Sequence, residues 1–138
     1  MRLADDRDTS ALRGACGRLL AYASKYDWAQ GVDYQKACGI LADRVAEGMV
    51  YIIDGYAVFI DKVVPWYSTK PYLEEWLTLR LYHGGTTASI PPALERIAKE
   101  LGCCSVVGGD SSPVQLMTAA YEEANWRPLT KLFYKDTQ

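Results

Sequence analysis

An Asp-Gly pair in the middle of the chain separates two runs of strand-forming residues. Asp54 and Gly55 lie between MVYII and YAVFIDKVV, and both runs are rich in β-branched and aromatic side chains. Asp-Gly readily adopts the left-handed backbone conformations that a two-residue hairpin turn requires. The pattern therefore predicts an antiparallel β-hairpin at this point of the chain.

The residues before the hairpin predict one short strand and two helices. Residues 2–4 are a candidate strand, and Thr9 or Ser10 is a suitable cap for a helix whose apolar residues recur every three to four positions. A second helix is predicted over about residues 33–47, and Gly48 ends it.

The residues after the hairpin predict strands that alternate with helices. We expect a strand over residues 74–82, a helix capped by Ser89, a strand over 103–107, a helix from Ser112 to Asn125 and a last strand over 128–135. A strand-helix-strand connection of this length predicts a parallel pair with a right-handed crossover. The fold class is therefore α/β (α+β), with a mixed sheet in which a parallel pair adjoins an antiparallel meander.

Composition narrows the class of protein. The 138 residues are 49% apolar and 23% charged, which predicts one folded domain over residues 1–138. The net charge of -2 with dispersed basic residues argues against nucleic acid, and no stretch is apolar enough to span a membrane. Four cysteines without CxxC spacing and a single His argue against a metal and predict buried, reduced thiols. We therefore expect a cytoplasmic protein with no nucleic acid, membrane or metal partner.

A segment rich in glycines and hydroxyl groups, residues 83–89, lies between the strand predicted over 74–82 and the next helix. Free N–H groups and the positive end of the helix dipole meet there, and glycines let a ligand approach the backbone. The P-loop, GxGxxG and GxSxG spacings are absent, so a bound anion would be held mostly by backbone groups. The alternative is a connector without a ligand.

Short motifs near both ends of the chain are typical of one family. Residues 121–126, YEEANW, are similar to the Tyr-x-x-x-Gly-Phe pattern after that family's last long helix, with Asn125 in place of the glycine. Phe133-Tyr134-Lys135 and the opening MRLADDRD are similar to its last strand and its first turn. Together with the element order, the chain resembles the GCN5-related N-acetyltransferase (GNAT) family over nearly its whole length, and its small phage-encoded members in particular.

This resemblance implies a fold and a reaction. The fold has antiparallel N-terminal strands, a splayed parallel pair and helices on both faces of the sheet. The reaction is direct attack of an amine on acetyl-CoA, the acyl donor, without a metal. In the family pattern Tyr121 is the general acid that protonates the leaving thiolate, and Glu75 is the candidate general base.

The resemblance also assigns residues to acetyl-CoA. Backbone groups of residues 80–82 would contact the acyl group and the pantetheine, and the following loop would hold the pyrophosphate. The residues assigned to the cofactor are Arg80, Leu81, Tyr82, His83, Gly84, Gly85, Thr86, Thr87, Ala88, Ser89 and Ser112. The loop departs from the family pattern, because His83 stands where Arg or Gln is usual and Thr86 where the first glycine is usual, while Ala88 matches.

Several alternatives stay open at this point. Tyr121 also lies on the apolar stripe of its helix, so its role could be packing alone. Glu75 is also a residue expected at the solvent-exposed end of a strand. A GNAT-fold binding or virion-associated protein without catalysis, and a different α/β fold, are the rival hypotheses. The acceptor is an amine of a small molecule or of a protein, and a homodimer is left open.

Overall fold

Five strands form one mixed sheet in the computed structural model, which describes residues 1–26, 29–110 and 116–137. The spatial order follows the chain order, and the first three neighbouring pairs are antiparallel while the fourth is parallel. The strands are β1 (Arg2–Leu3), β2 (Val50–Ile53), β3 (Tyr56–Val63), β4 (Tyr72–Arg80) and β5 (Val106–Gly108). The predicted mixed sheet with a parallel pair is confirmed.

Helices cover both faces of this sheet. They are α1 (Thr9–Ala23), α2 (Tyr34–Ala46), α3 (Ile90–Glu100) and α4 (Thr118–Glu123). One apolar core lies between α1, α2 and the sheet and contains Leu12, Leu41 and Phe59. The other lies between α3, α4 and the opposite face and contains Val58 and Leu94. Each helix therefore buries one stripe against the sheet, as the three-to-four spacing of its apolar residues predicts.

The predicted hairpin is present and fixes one end of the sheet. Ile53 pairs with Tyr56, and Asp54 and Gly55 both have positive φ, 50° and 86°. The Gly55 carbonyl accepts hydrogen bonds from the N–H groups of Leu81 at 2.9 Å and Tyr82 at 3.0 Å. The hairpin tip is thereby attached to the residues that follow β4.

A β-bulge interrupts the pairing of β3 with β4. Phe59 pairs with Leu77 and Ile60 with Glu75, so Trp76 is the extra residue. Before the bulge Leu73 belongs to the core under α3 and α4, whereas after it Leu79 belongs to the core under α1 and α2. A bulge shifts the alternation of side chains by one residue, and here it lets Glu75 face α4.

The parallel pair is short. It runs from Leu73 opposite Val106 to Glu75 opposite Gly108. Beyond Glu75, no strand in the described ranges pairs with this edge of β4, although β4 continues to Arg80. A gap therefore opens beside the second half of β4.

The carboxylate of Asp8 connects β1, the turn before α1 and the residues that follow β4. It is fully buried and accepts two hydrogen bonds from the guanidinium of Arg2, each of 2.8 Å. It also accepts one from the Tyr82 hydroxyl at 2.6 Å and one from the Asp5 N–H at 3.0 Å. The hydrogen bonds from Arg2, followed by that from Tyr82, hold the pKa of Asp8 well below its usual range.

Several local predictions are wrong, among them the strand over 103–107, since β5 begins only at Val106. Thr9 is the first residue of α1 rather than its cap, which is Asp8. Cys104 is exposed, although Cys16 is buried as expected. The segment over 128–135 pairs with no strand in the described part of the chain, and Leu132 and Phe133 are more than 90% exposed. Alternating apolar residues form a strand only where a neighbouring edge supplies hydrogen bonds.

None of the helices in the described ranges has the length and hydropathy that a membrane span requires.

Asp8→Asn tests the buried carboxylate. Without its charge the hydrogen bonds from Arg2 and Tyr82 weaken, so we expect the free energy of unfolding at pH 7 to fall by about 2–3 kcal/mol, measured by urea denaturation. Because the pKa of Asp8 is lowered in the folded protein, its stabilisation is present above about pH 4 and is lost as the pH falls further. The variant and the wild type should converge in acid.

Asp5→Asn is the matched control, because the Asp5 carboxylate is exposed and pairs with the exposed side chain of Arg7. Its stability should stay near that of the wild type. Equal losses for the two variants would contradict the role given to Asp8.

Candidate functional site

Two buried polar side chains meet where β4 and β5 part. Glu75 is 2% exposed and lies at the last position where β4 pairs with β5, and Tyr121 of α4 is 8% exposed. The Tyr121 hydroxyl donates a hydrogen bond to Oε1 of Glu75. The two residues predicted to be catalytic are therefore in direct contact.

Burial changes the proton affinity of both groups. Loss of hydration raises the pKa of Glu75 to about 7, although hydrogen bonds from the Tyr121 hydroxyl and the Gly109 N–H favour the charged carboxylate. Burial and then the charge of Glu75 raise the pKa of Tyr121 far above its usual value. Near neutral pH, Glu75 can therefore take up or release a proton while Tyr121 keeps its own.

Close packing fixes the Tyr121 ring. A side-chain carbon added to Gly108 would lie 2.3 Å from Cζ and 2.3 Å from the hydroxyl oxygen of Tyr121, so only glycine fits there. The ring of Trp126 stacks on Tyr121 with centroids 4.5 Å apart, and its Nε1 donates to Glu95 at 2.9 Å. Asn125, with φ of 65°, provides the left-handed turn that places Trp126 there.

The start of α4 is tied to the residues after β5. Oδ2 of Asp110 accepts hydrogen bonds from the N–H groups of Met117 at 3.0 Å and Thr118 at 2.7 Å, and from the Thr118 hydroxyl at 2.6 Å. This carboxylate satisfies N–H groups that have no partner within the helix. It fixes the position of α4, and hence of Tyr121, relative to the end of β5.

The second half of β4 has polar groups along it, and its outer edge is unpaired within the described ranges. The hydroxyl of Thr78 is buried beside Glu75 and favours its ionised form, whereas Trp76 packs against the core under α1 and α2, where its Nε1 has no hydrogen-bond partner among the residues that the structure describes. Backbone groups on the free edge of β4 are available in the same region. Glu75 and Arg80 mark its two ends, which are separated by about 16 Å at the usual rise of a strand.

The predicted pyrophosphate loop contains a carboxylate from the hairpin. Oδ2 of Asp54 accepts hydrogen bonds from the N–H of Thr86 at 2.9 Å and from the hydroxyl of Ser89 at 2.8 Å. These two hydrogen bonds lower the pKa of Asp54, so it is ionised at neutral pH. The two donors expected to meet a phosphate therefore already have an anionic acceptor.

Other residues predicted for the cofactor have structural partners of their own. The Arg80 guanidinium donates to the hydroxyl of buried Tyr56 and lies over its ring. The Tyr82 hydroxyl donates to Asp8. His83 is exposed, and Ser112 lies outside the described residues. The residues from Leu81 to Ser89 do form the connection between β4 and α3, with a 3-10 turn at Thr87–Ser89, so their assignment to acetyl-CoA stays a prediction.

Sequence reasoning did not identify Asp54, Asp110 or Trp126 as parts of the site. The hairpin signal explained Asp54 completely as a turn residue. For Asp110, its place shortly before the last helix was the available signal, since Asp is a common helix-capping residue.

Gly108→Ala tests the packing around Tyr121. The added methyl group would displace the Tyr121 ring from Glu75, so we expect the free energy of unfolding to fall by about 1–3 kcal/mol in urea denaturation. Gly109→Ala is the control, because a side-chain carbon there meets nothing within 4 Å. If both variants keep wild-type stability, the Tyr121 ring is not confined as described.

Comparison with solved structures identifies the fold. No family model matches the chain, and no curated protein sequence matches it either. A predicted acetyltransferase from Clostridium acetobutylicum, solved with acetyl-CoA, superposes with a TM-score of 0.63 at 15% identity, covering 96% of this chain and 92% of the other. An acetyltransferase from Trypanosoma brucei superposes with a TM-score of 0.57 at 17% identity, covering 98% and 96%. The chain therefore has the fold of these acetyltransferases.

Proposed function

We propose that the protein transfers an acetyl group from acetyl-CoA to an amine. The observation that carries this proposal is the buried pair of Glu75 and Tyr121 at the point where β4 and β5 separate. A buried carboxyl with a pKa near 7 beside a protonated phenol is suited to proton transfer at neutral pH. The acetyltransferase fold supports the same reaction class.

The residues along the gap fit an acyl-thioester arm. Acetyl-CoA supplies the reactive thioester when it is bound. The free edge of β4 offers backbone N–H groups between Trp76 and Arg80 that can orient the arm and polarise the thioester carbonyl. Thr78 contributes a buried hydroxyl that lies beside Glu75 and favours its ionised form. The loop at Thr86 fits the diphosphate less well, because its donors are already bonded to Asp54.

The pair can move two protons in one turnover. Ionised Glu75 takes a proton from the attacking amine at its carboxylate oxygen, and Tyr121 gives its hydroxyl proton to the leaving sulfur. The proton on Glu75 then passes along the hydrogen bond to the Tyr121 oxygen. Both residues return to their starting states, so the cycle needs no net gain or loss of protons.

A second candidate function is binding without catalysis. The observation that favours it is the Asp54 carboxylate, which contacts both expected phosphate donors. A GNAT-fold protein that no longer binds acetyl-CoA would serve as a binding or virion-associated module.

Binding of acetyl-CoA separates these functions. At a concentration ten times Kd, a ligand of the folded state adds about 1.4 kcal/mol of stability, which raises Tm by about 5 °C for a chain of this size. We expect such a shift in a thermal melt, with matching heat in titration calorimetry. No shift and no heat with acetyl-CoA at concentrations up to about 1 mM would favour the binding module.

Turnover tests the proton-transfer pair. With primary amines as acceptors and released thiol as the readout, Tyr121→Phe should lower kcat by about 100-fold or more while leaving the affinity for acetyl-CoA unchanged.

Because Glu75 must be ionised to accept a proton, kcat/KM should rise with pH through about 7, and Glu75→Gln should abolish that rise. Tyr72→Phe and Glu74→Gln, on the same strand, are matched controls that should behave as the wild type. Unchanged turnover in Tyr121→Phe would remove this residue from the mechanism.

A further inference from the structure

The hairpin tip and the loop before α3 are in direct contact. A side-chain carbon on Gly85 would lie 1.6 Å from the Asp54 carbonyl oxygen, so the two backbones approach as closely as glycine allows. This approach brings one carboxylate oxygen of Asp54 within 2.9 Å of the Thr86 nitrogen and 2.8 Å of the Ser89 hydroxyl oxygen. The hairpin and the loop therefore form one unit with Asp54 at its centre.

Among the described residues no cation lies within ion-pairing distance of Asp54, although the Met1 ammonium group acts on this carboxylate from farther away. Within the described ranges, the carboxylate forms no ion pair, and its hydrogen bonds come from an amide and a hydroxyl, both neutral. Arg96 lines the same surface hollow as Asp54 and Ser89 without pairing with the carboxylate. A diphosphate approaching the loop would therefore meet a like charge as well as two donors that are already bonded.

We propose that Asp54 is a specificity-determining residue that competes with the diphosphate of the acyl donor. This inference rests on the proposed function. Since a diphosphate can bind the Thr86 amide and the Ser89 hydroxyl only by displacing Asp54, those contacts add little to affinity. The protein selects pantetheine thioesters by the arm that lies along β4, with little preference for the nucleotide end of acetyl-CoA.

This specificity differs from that of a loop with free donors. Such a loop would bind acetyl-CoA much more tightly than S-acetyl-pantetheine, which has the same thioester arm and no diphosphate. With Asp54 in place, we expect the two compounds to bind the wild type with Kd values within about threefold of each other. Removing the carboxylate should restore the preference for the diphosphate.

Asp54→Asn is the decisive variant, because Asn tolerates the left-handed turn conformation and removes only the charge. In titration calorimetry, the variant should bind acetyl-CoA about tenfold more tightly than the wild type. Its affinity for S-acetyl-pantetheine should stay within about twofold. Asp54→Gly, which suits the same turn, removes the side chain entirely and should show the same gain.

Asp33→Asn is the matched control. Asp33 is an exposed aspartate that caps α2 by accepting a hydrogen bond from the Lys36 N–H at 3.0 Å, so the change removes an equal charge elsewhere. It should leave both affinities unchanged. If the wild type binds acetyl-CoA and neither Asp54 variant binds it more tightly, the competitor role is overturned while the proposed function stands. If wild type and variants bind neither compound, the proposed function is overturned as well.

Discussion

The contact between Tyr121 and the last pair of the parallel strands is the constraint on which the rest of the candidate site depends. Glu75 and Gly108 form that pair, and the Tyr121 ring lies against both. A side chain at position 108 would exclude the ring, and an apolar residue at position 75 would leave the hydroxyl without this acceptor. Because the pairing stops here, the second half of β4 has one edge without a partner strand in the described ranges, next to a carboxyl whose burial raises its pKa to about 7.

The two polar clusters on either side of the sheet have different roles. Asp8 has four hydrogen bonds and an ion pair with Arg2, so its charge is compensated and it contributes stability. Glu75 forms no ion pair with any residue that the structure describes, and its burial disfavours ionisation. Burying such a carboxyl lowers the free energy of unfolding, and ionisable groups with shifted pKa values are concentrated at functional sites. Both residues are buried acids, but only Asp8 has its charge compensated, and this difference supports the proposed chemical role of Glu75.

Local patterns predicted much of the fold, because the Asp54-Gly55 turn and the apolar spacing of the helices act over a few residues. The crossover rule then predicted the parallel pair. The bulge at Trp76 left no such signal, since its cause is the pairing of β4 with β3. The prediction of a last strand was wrong because an alternating segment forms a strand only beside the edge of another strand. The role of the Asp54 carboxylate was not predicted because its contact with Thr86 joins residues 32 positions apart. The contact of Glu75 with Tyr121, 46 positions apart, was approached only through the family resemblance.

In the proposed function, the reacting thioester and the diphosphate of the acyl donor lie at different places along the protein. The proposed proton transfer uses Glu75 and Tyr121, which are in contact beside the unpaired edge of β4. The loop at Thr86 and Ser89 would hold only a distant part of the donor, and there Asp54 already occupies the two hydrogen-bond donors. Binding energy from distant groups lowers KM, and it raises kcat only if it is used to orient the reacting atoms. A transferase can therefore lose much of its diphosphate contact and keep its chemical step, provided that the arm along β4 still positions the thioester.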